Sequence, residues 1–359
     1  MKKLIALLLA LVMVLALTAC GGSNTAAPAA EPAAEPAAEP ASEPAAEPAS
    51  EPASEPAAEA ADSFKVGVIQ LLEHPALDLA TQGFVDALTE LLGDSVSIDV
   101  QNAQGESANC SMIANGFVAD DVDLIMANAT PALQAAQSAT GDIPILGTSV
   151  TDYASALKIE DWTGATGTNI SGTTDLAPLD GQAEVLAELL PVESYPNVGL
   201  VYCTAEANSV YQVNTIRVFL EDLGYTVTDY AFNDSNDIAS VVTSACENCE
   251  ALYIPTDNTA ASNTEAITNV AEPAGVPIIA GEESICLGCG IATLSISYYD
   301  IGYKTGEMAY DVLVNGADVA TMNIEAAPQF TKEYVASRAE LLGIEIPDDY
   351  AAIAEEAAE

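Results

Sequence analysis

From about Ser63 onward, short apolar runs rich in β-branched residues alternate with longer amphipathic stretches. A short run of this kind predicts a buried strand, and apolar residues recurring every three or four positions predict a helix packed on one face. In the first half the runs begin near Val66, Val96, Val122 and Ile143, with helices such as Pro75–Leu92 and Pro131–Ala139 between them. In the second half they begin near Val198, Thr226, Ala251 and Pro277, with helices such as Asn208–Leu223 and Thr259–Val270. Each run falls close to 130 residues after its counterpart, yet the residues are not alike, so the repeat is one of architecture. The pattern predicts an α/β protein of two doubly wound parallel-sheet lobes joined by a hinge. An N-lobe is expected over 63–174 plus about 298–322, and a C-lobe over 175–297 plus about 323–359. Ile291–Ser297, Tyr299–Val314 and Ala326–Ser337 would carry the chain back between them.

The first 62 residues follow neither pattern. Lys2 and Lys3 precede an apolar run, Leu4–Leu17, that is too short to span a bilayer and ends in Leu17-Thr18-Ala19-Cys20. This predicts a lipoprotein signal peptide over 1–19, with Cys20 as the lipid attachment point of the mature chain. Residues 20–62 then form a linker in which proline recurs at every fourth position from Pro28 to Pro56. Each proline removes a backbone donor and biases its predecessor towards extended geometry, so a solvated spacer is expected there. The globular part would lie outside the cytoplasm, at the cell membrane.

The chain has 54 acidic and 8 basic residues, and 46 against 6 once the leader and the linker glutamates are set aside. Such an imbalance repels nucleic acid and anionic membrane surfaces and disfavours phosphorylated ligands. Most of these charges are a solvated surface. A single histidine, His74, rules out a multi-histidine metal site, and no P-loop or G-x-S-x-G motif is present. Cys246–Cys249 and Cys286–Cys289 are two C-x-x-C pairs, a spacing that often binds zinc. Cys249 precedes a strand at the amino edge of its sheet, whereas Cys286 follows one at the carboxyl edge. Those edges lie roughly 17 Å apart, too far for one four-sulfur site, so local disulfides or free thiols are expected and no metal or cofactor. Neither pair has the strand-to-helix setting of a thiol oxidoreductase. Cys110 and Cys203 have no assignable partner.

Ligands of doubly wound sheets bind beyond the carboxyl ends of the strands. Six segments fall there: Gln70–His74, Ala127–Pro131, Gly147–Asp152, Cys203–Ser209, Pro255–Asn258 and Gly281–Glu283. They are rich in hydroxyls, amides and carboxylates and hold no Lys or Arg. A ligand carboxylate would have to rely on backbone N–H groups and on Thr130, Ser149, Thr151 or Ser209. An ammonium group would find Asp257 first, then Glu73 or Glu282, while Gln70, His74, Asn128 and Asn208 complete the candidate ligand-binding set. That inventory suits an α-amino acid. Thr130, Asn208 and Ser209 are also ordinary helix caps, and capping alone explains each equally well. Trp162, Tyr153, Tyr298 and Tyr299 are candidates for an aromatic wall or simply for core.

"VGVIQLLEHPALD" at Val66–Asp78, "ANATPALQAA" at Ala127–Ala136, "GTNISGTTD" at Gly167–Asp175, "ANSVYQ" at Ala207–Gln212, "LYIPTDNT" at Leu252–Thr259 and "YYDIGYKTGEMA" from Tyr298 stand in this order along the chain. As a set they resemble the ABC transporter substrate-binding family that includes binders of tryptophan and other aromatic amino acids. The resemblance implies a type I periplasmic-binding-protein fold and a monomeric, non-enzymatic receptor that hands an aromatic amino acid to a membrane permease. A sensory receptor, or a binder of nucleosides, sugars or branched amino acids, would share that fold.

Overall fold

The computed structural model describes residues 63–355, which lie within one compact unit. The anticipated signal peptide, Cys20 and the whole of the linker fall outside the described residues. The chain opens with β1 (Phe64–Gln70), α1 (Pro75–Leu92), β2 (Val96–Asn102), α2 (Ser107–Ala119), β3 (Leu124–Asn128), α3 (Thr130–Ala139), β4 (Ile145–Thr148), α4 (Tyr153–Leu157) and β5 (Ile170–Thr174). It crosses to a second lobe through α5 (Leu179–Leu189), β6 (Asn197–Cys203), α6 (Ala207–Asp222), β7 (Thr226–Phe232), α7 (Ile238–Asn248), β8 (Ala251–Ile254), α8 (Asn258–Ala261), α9 (Thr264–Ala274), β9 (Ile278–Ala280), α10 (Glu283–Cys289) and β10 (Ala292–Ser295). It then returns with α11 (Tyr298–Leu313) and β11 (Glu325–Ala326), and crosses once more into β12 (Thr331–Tyr334), α12 (Ala336–Leu342) and β13 (Ala351–Ala352).

The N-lobe sheet has the order β11-β5-β4-β3-β1-β2 and the C-lobe sheet β13-β12-β10-β9-β8-β6-β7. All pairings are parallel except β10 with β12. β3 and β8 are buried along their whole length, because helices cover both faces of a doubly wound sheet. Each lobe accordingly has a core on either face, with Ile125 and Leu146 on opposite sides of one sheet and Leu252 and Tyr253 on opposite sides of the other. The pairing of β11 with β5 extends the returning N-lobe segment to Ala326, beyond the boundary near 322 expected from sequence. A two-residue exposed strand leaves no hydrophobic signature to read.

The helix pair α1 and α11 joins the two N-lobe segments. Gly83 and Gly302 bring the backbones so close that a Cβ on either would strike a main-chain carbonyl, of Tyr299 and Ala80 respectively, and Gly306 seats against Ala87. Small residues three and four apart form one flat stripe on each helix.

The register ends in a polar rung. Gln70 pairs with Asn102 and Asn128, and Asn128 with Thr148, which sets amides and a hydroxyl along the carboxyl edge of the N-lobe sheet.

Cys110, Cys203, Cys246, Cys249, Cys286 and Cys289 are all unbridged. α10 doubles back along β9, so Cys289 packs near Val276 and Ile278 and is not held at the carboxyl edge. Among the described residues no three His, Cys, Asp or Glu side chains gather as metal donors.

Candidate functional site

The carboxyl edges of the two sheets face each other across a cleft. Its inner end is lined by His74, Leu77 and Asp175 from the N-lobe side, by Tyr298 where the chain returns to that lobe, and by Thr256, Asp257, Asn258, Ala261 and Glu282 from the C-lobe, around a cavity of about 10 Å³. That is space for about one water. A wider cavity of about 460 Å³ lies between Leu71, Gln104 and Pro131 of the N-lobe and Cys203, Glu206 and Asn263 of the C-lobe. One hydrogen bond spans the lobes directly, from His74 Nε2 to Asn258 Oδ1 at 3.2 Å.

The predicted residues divide sharply by what their polar atoms already do. Gln70 is spent inside the N-lobe: its amide donates to Asp78 and to the Leu72 carbonyl, and its oxygen accepts from Thr81. Asp257 is an N-cap, its two oxygens accepting from Ala260 N at 2.8 Å and Cys203 N at 2.6 Å, with Ser209 as a further donor. Glu282 caps α10 through Ser284 N, Ile285 N and the Ser284 hydroxyl. Glu73 is exposed. A carboxylate between a strand end and a helix start is the sequence signature of a cap as much as of a ligand, and for Asp257 and Glu282 the cap is what the hydrogen bonds describe.

Other predicted residues hold atoms with nothing to bond. His74 Nδ1, Asn128 Oδ1, Thr130 Oγ, Ser149 Oγ and Asn208 Oδ1 are buried without a partner, as is Asp175 Oδ1. The nitrogens of the two amides are used, Asn128 Nδ2 by Leu77 O and Thr81 Oγ, and Asn208 Nδ2 by Glu206 and Thr256 O. Buried polar atoms are nearly always satisfied, and here the exceptions cluster at the strand ends. Thr130 does not cap α3. Ala129 holds that position at φ 94°, and Ser149 after β4 has φ 53°. Both are non-glycine residues in left-handed backbone, a strain of about 1–3 kcal/mol that concentrates at binding turns.

Two acids sequence reasoning passed over complete the site. Glu206 accepts from Asn258 N and Nδ2 and from Thr259 N and Oγ, so it fixes the start of α8. Its charge, after burial itself, pushes the Asp257 carboxyl up from the usual range. Asp175 follows β5 at the first crossing between lobes; burial raises it to about 6 against the opposing help of the Thr151 and Tyr298 hydroxyls. Glu282 is raised by burial to about 7. Asp175 stands at the end of "ISGTTD", an acid just past a buried strand, which is a signal of the same kind that favoured Asp257. Of the aromatic candidates Tyr298 lines the cleft, Trp162 is exposed, Tyr153 is held in the N-lobe core by the Thr173 carbonyl, and Tyr299 turns to Asp86.

The ABC transporter substrate binding protein family matches residues 65–358. The chain belongs to that family. A tyrosine-binding protein from Clostridioides difficile is 38% identical over 251 residues, covering 69% of this chain and 72% of the relative. A domain from Streptococcus pneumonia solved in complex with L-Trp is 32% identical with a TM-score of 0.76, covering 80% of this chain and 96% of that one. The ligand-free, open structure of a substrate binding protein with adhesive properties from Clostridium difficile is 35% identical with a TM-score of 0.63, covering 82% of this chain and 100% of that one. The fold is that of the type I periplasmic binding proteins, and the family and its neighbours are extracytoplasmic solute-binding proteins. Similarity is higher to the liganded structure although identity to the open one is greater, in keeping with a closed arrangement of lobes bridged by His74 and Asn258.

Proposed function

We propose that this substrate-binding protein captures an aromatic α-amino acid in the cleft and delivers it, as a monomer tethered through lipid on Cys20, to an ABC permease. The observation that carries the cargo is the unpaired set. His74 Nδ1, Asn128 Oδ1, Asn208 Oδ1 and Asp175 Oδ1 are acceptors, whereas only the Thr130 and Ser149 hydroxyls can also donate. A partner that satisfies them brings more donors than acceptors, as an ammonium group does, and a carboxylate small enough for two hydroxyls and the backbone N–H groups beside them. Asp175 takes the ammonium role in place of Asp257, since it alone of the buried acids lining the cleft keeps a free oxygen. Leu77, Ala261 and Tyr298 supply apolar surface for the side chain, and because the space between them holds only about one water, the lobes must part to admit it. The relatives described as binding tyrosine and L-Trp support the aromatic class.

A thermal-shift screen of the purified protein against all amino acids, nucleosides and common sugars tests the cargo, because a ligand that binds only the native state raises Tm. Tyrosine, tryptophan or phenylalanine should give the largest shift; a sugar or nucleoside in their place overturns the reading. Palmitate labelling of wild type and Cys20→Ser tests the tether, and equal labelling would remove it.

A further inference from the structure

Asn258 has no freedom in how it presents its amide. Nδ2 donates to Glu206 Oε2 at 2.6 Å, and a carboxylate only accepts, so Oδ1 is the atom turned towards His74 at 3.2 Å. An amide oxygen only accepts as well. His74 must therefore carry its proton on Nε2. The ring is also neutral, since burial lowers its pKa more than Asn258, Glu206 and Asp78 raise it. A neutral imidazole protonated at Nε2 has a bare lone pair at Nδ1, and that atom is buried without a partner in a ring that lines the inner cleft.

We propose that His74 Nδ1 is a specificity determinant that accepts a hydrogen bond from a donor on the cargo's ring, selecting tyrosine or tryptophan over phenylalanine. The inference rests on the amino-acid reading above and narrows it. A ligand carboxylate offers only lone pairs and is repelled by Nδ1. The ammonium group is drawn instead to the anionic Asp175, a residue that lines the same cavity and whose Oδ1 has no partner. A phenol O–H or an indole N–H is the remaining match. A site built to bond such a group discriminates against the analogue lacking it, because the unmet acceptor stays buried. The chain of constraint begins in the other lobe: Glu206 orients Asn258, Asn258 sets the tautomer, and the tautomer decides which ring groups are read.

His74 is the only histidine in the chain, so ¹⁵N-histidine labelling of the full chain gives one assignable imidazole. The free protein should show Nε2 protonated and Nδ1 bare at neutral pH, and saturating tyrosine or tryptophan should shift the Nδ1 resonance towards that of a hydrogen-bonded nitrogen while phenylalanine leaves it unmoved. In calorimetric titration the wild type should favour one of the first two over phenylalanine by about tenfold or more. His74→Leu should lose that preference, and His74→Asn, whose amide oxygen can replace the Nδ1 acceptor, should keep part of it. Protonation at Nδ1, an identical shift with phenylalanine, or equal loss of all three ligands in His74→Leu would overturn the proposal while leaving the cargo class intact. Failure of the wild type to bind any of the three would remove both.

Discussion

The Tyr298 hydroxyl donates to Asp175 Oδ2 at 3.1 Å. Asp175 lies where the chain first leaves the N-lobe, after β5, and Tyr298 where it returns, at the start of α11. The bond ties together two of the three crossings, so a charge that changes partners at Asp175 acts on the hinge itself.

Removing that carboxylate should separate binding from folding. Truncating one member of a desolvated charge pair costs about 2–5 kcal/mol, so Asp175→Asn should weaken amino-acid binding well over tenfold in calorimetry while leaving Tm of the free protein unchanged or higher. Asp257→Ala should instead lower Tm, because it strips the Cys203 and Ala260 N–H groups of their acceptor at a cost of about 1–3 kcal/mol each. Asp222→Ala, at the exposed end of α6, should change neither quantity.

Binding should weaken in acid. The Asp175 carboxyl sits at about 6 in the free protein against an ordinary 3.8, so its protonated form favours the folded, unliganded state. The stability it contributes is full below the ordinary value and is lost as pH rises through about 6. An ammonium partner needs the ionised form, so below about pH 6 each further unit should reduce affinity up to tenfold. Titrations at pH 5, 6, 7 and 8 in buffers of different ionisation enthalpy would count the released proton. Affinity that is flat across this range would remove Asp175 from the site.

Ala129→Gly should stabilise the free protein. Glycine occupies φ 94° without the penalty that alanine carries there, and the gain of about 1–3 kcal/mol exceeds the entropy it adds to the unfolded chain, about 0.4–1 kcal/mol. A rise in Tm is the expected result; a fall would mean that the Ala129 methyl contributes packing that outweighs the strain.

Gly302→Val should destabilise by about 3 kcal/mol or more, since the new side chain meets the Ala80 carbonyl, which is helix backbone and cannot swing aside. Urea denaturation should show the lowered midpoint. An unchanged midpoint would mean that α1 and α11 can move apart freely.

The eight strands anticipated between Val66 and Pro277 were legible as short runs rich in apolar and β-branched residues, most plainly Ala251–Ile254, which is apolar throughout, and the fold follows from their alternation with helices; β5, β12 and β13 were not singled out as strands. Nor was β11, since two exposed residues carry no pattern. The site was legible as a set of segments and not as roles. Thr130, Ser149, Asn128, Asn208 and His74 all carry buried atoms without a partner, but Asp257 and Asp175 are the same kind of residue in the same kind of place. What separates them is whether N–H groups already occupy the carboxylate: Asp257 takes Ala260 N three residues along as a cap and Cys203 N from the neighbouring strand, and the second donor is visible only in the fold.

Because α11 and β11 belong to the N-lobe but follow the whole of β6 to β10 in the chain, the N-lobe cannot be finished when its first strands emerge. The stripe on α1 that includes Gly83 and Ala87 waits bare for a helix that begins more than two hundred residues later. A polypeptide ending before Tyr298, like one cut at Thr174, lacks both α11 and β11, so it would expose that stripe to solvent and leave β5 as an open sheet edge. Neither lobe can be excised as a single stretch: the N-lobe is complete only with β11, and the C-lobe only after it, with β12 and β13, so each lobe waits on a segment that follows the other.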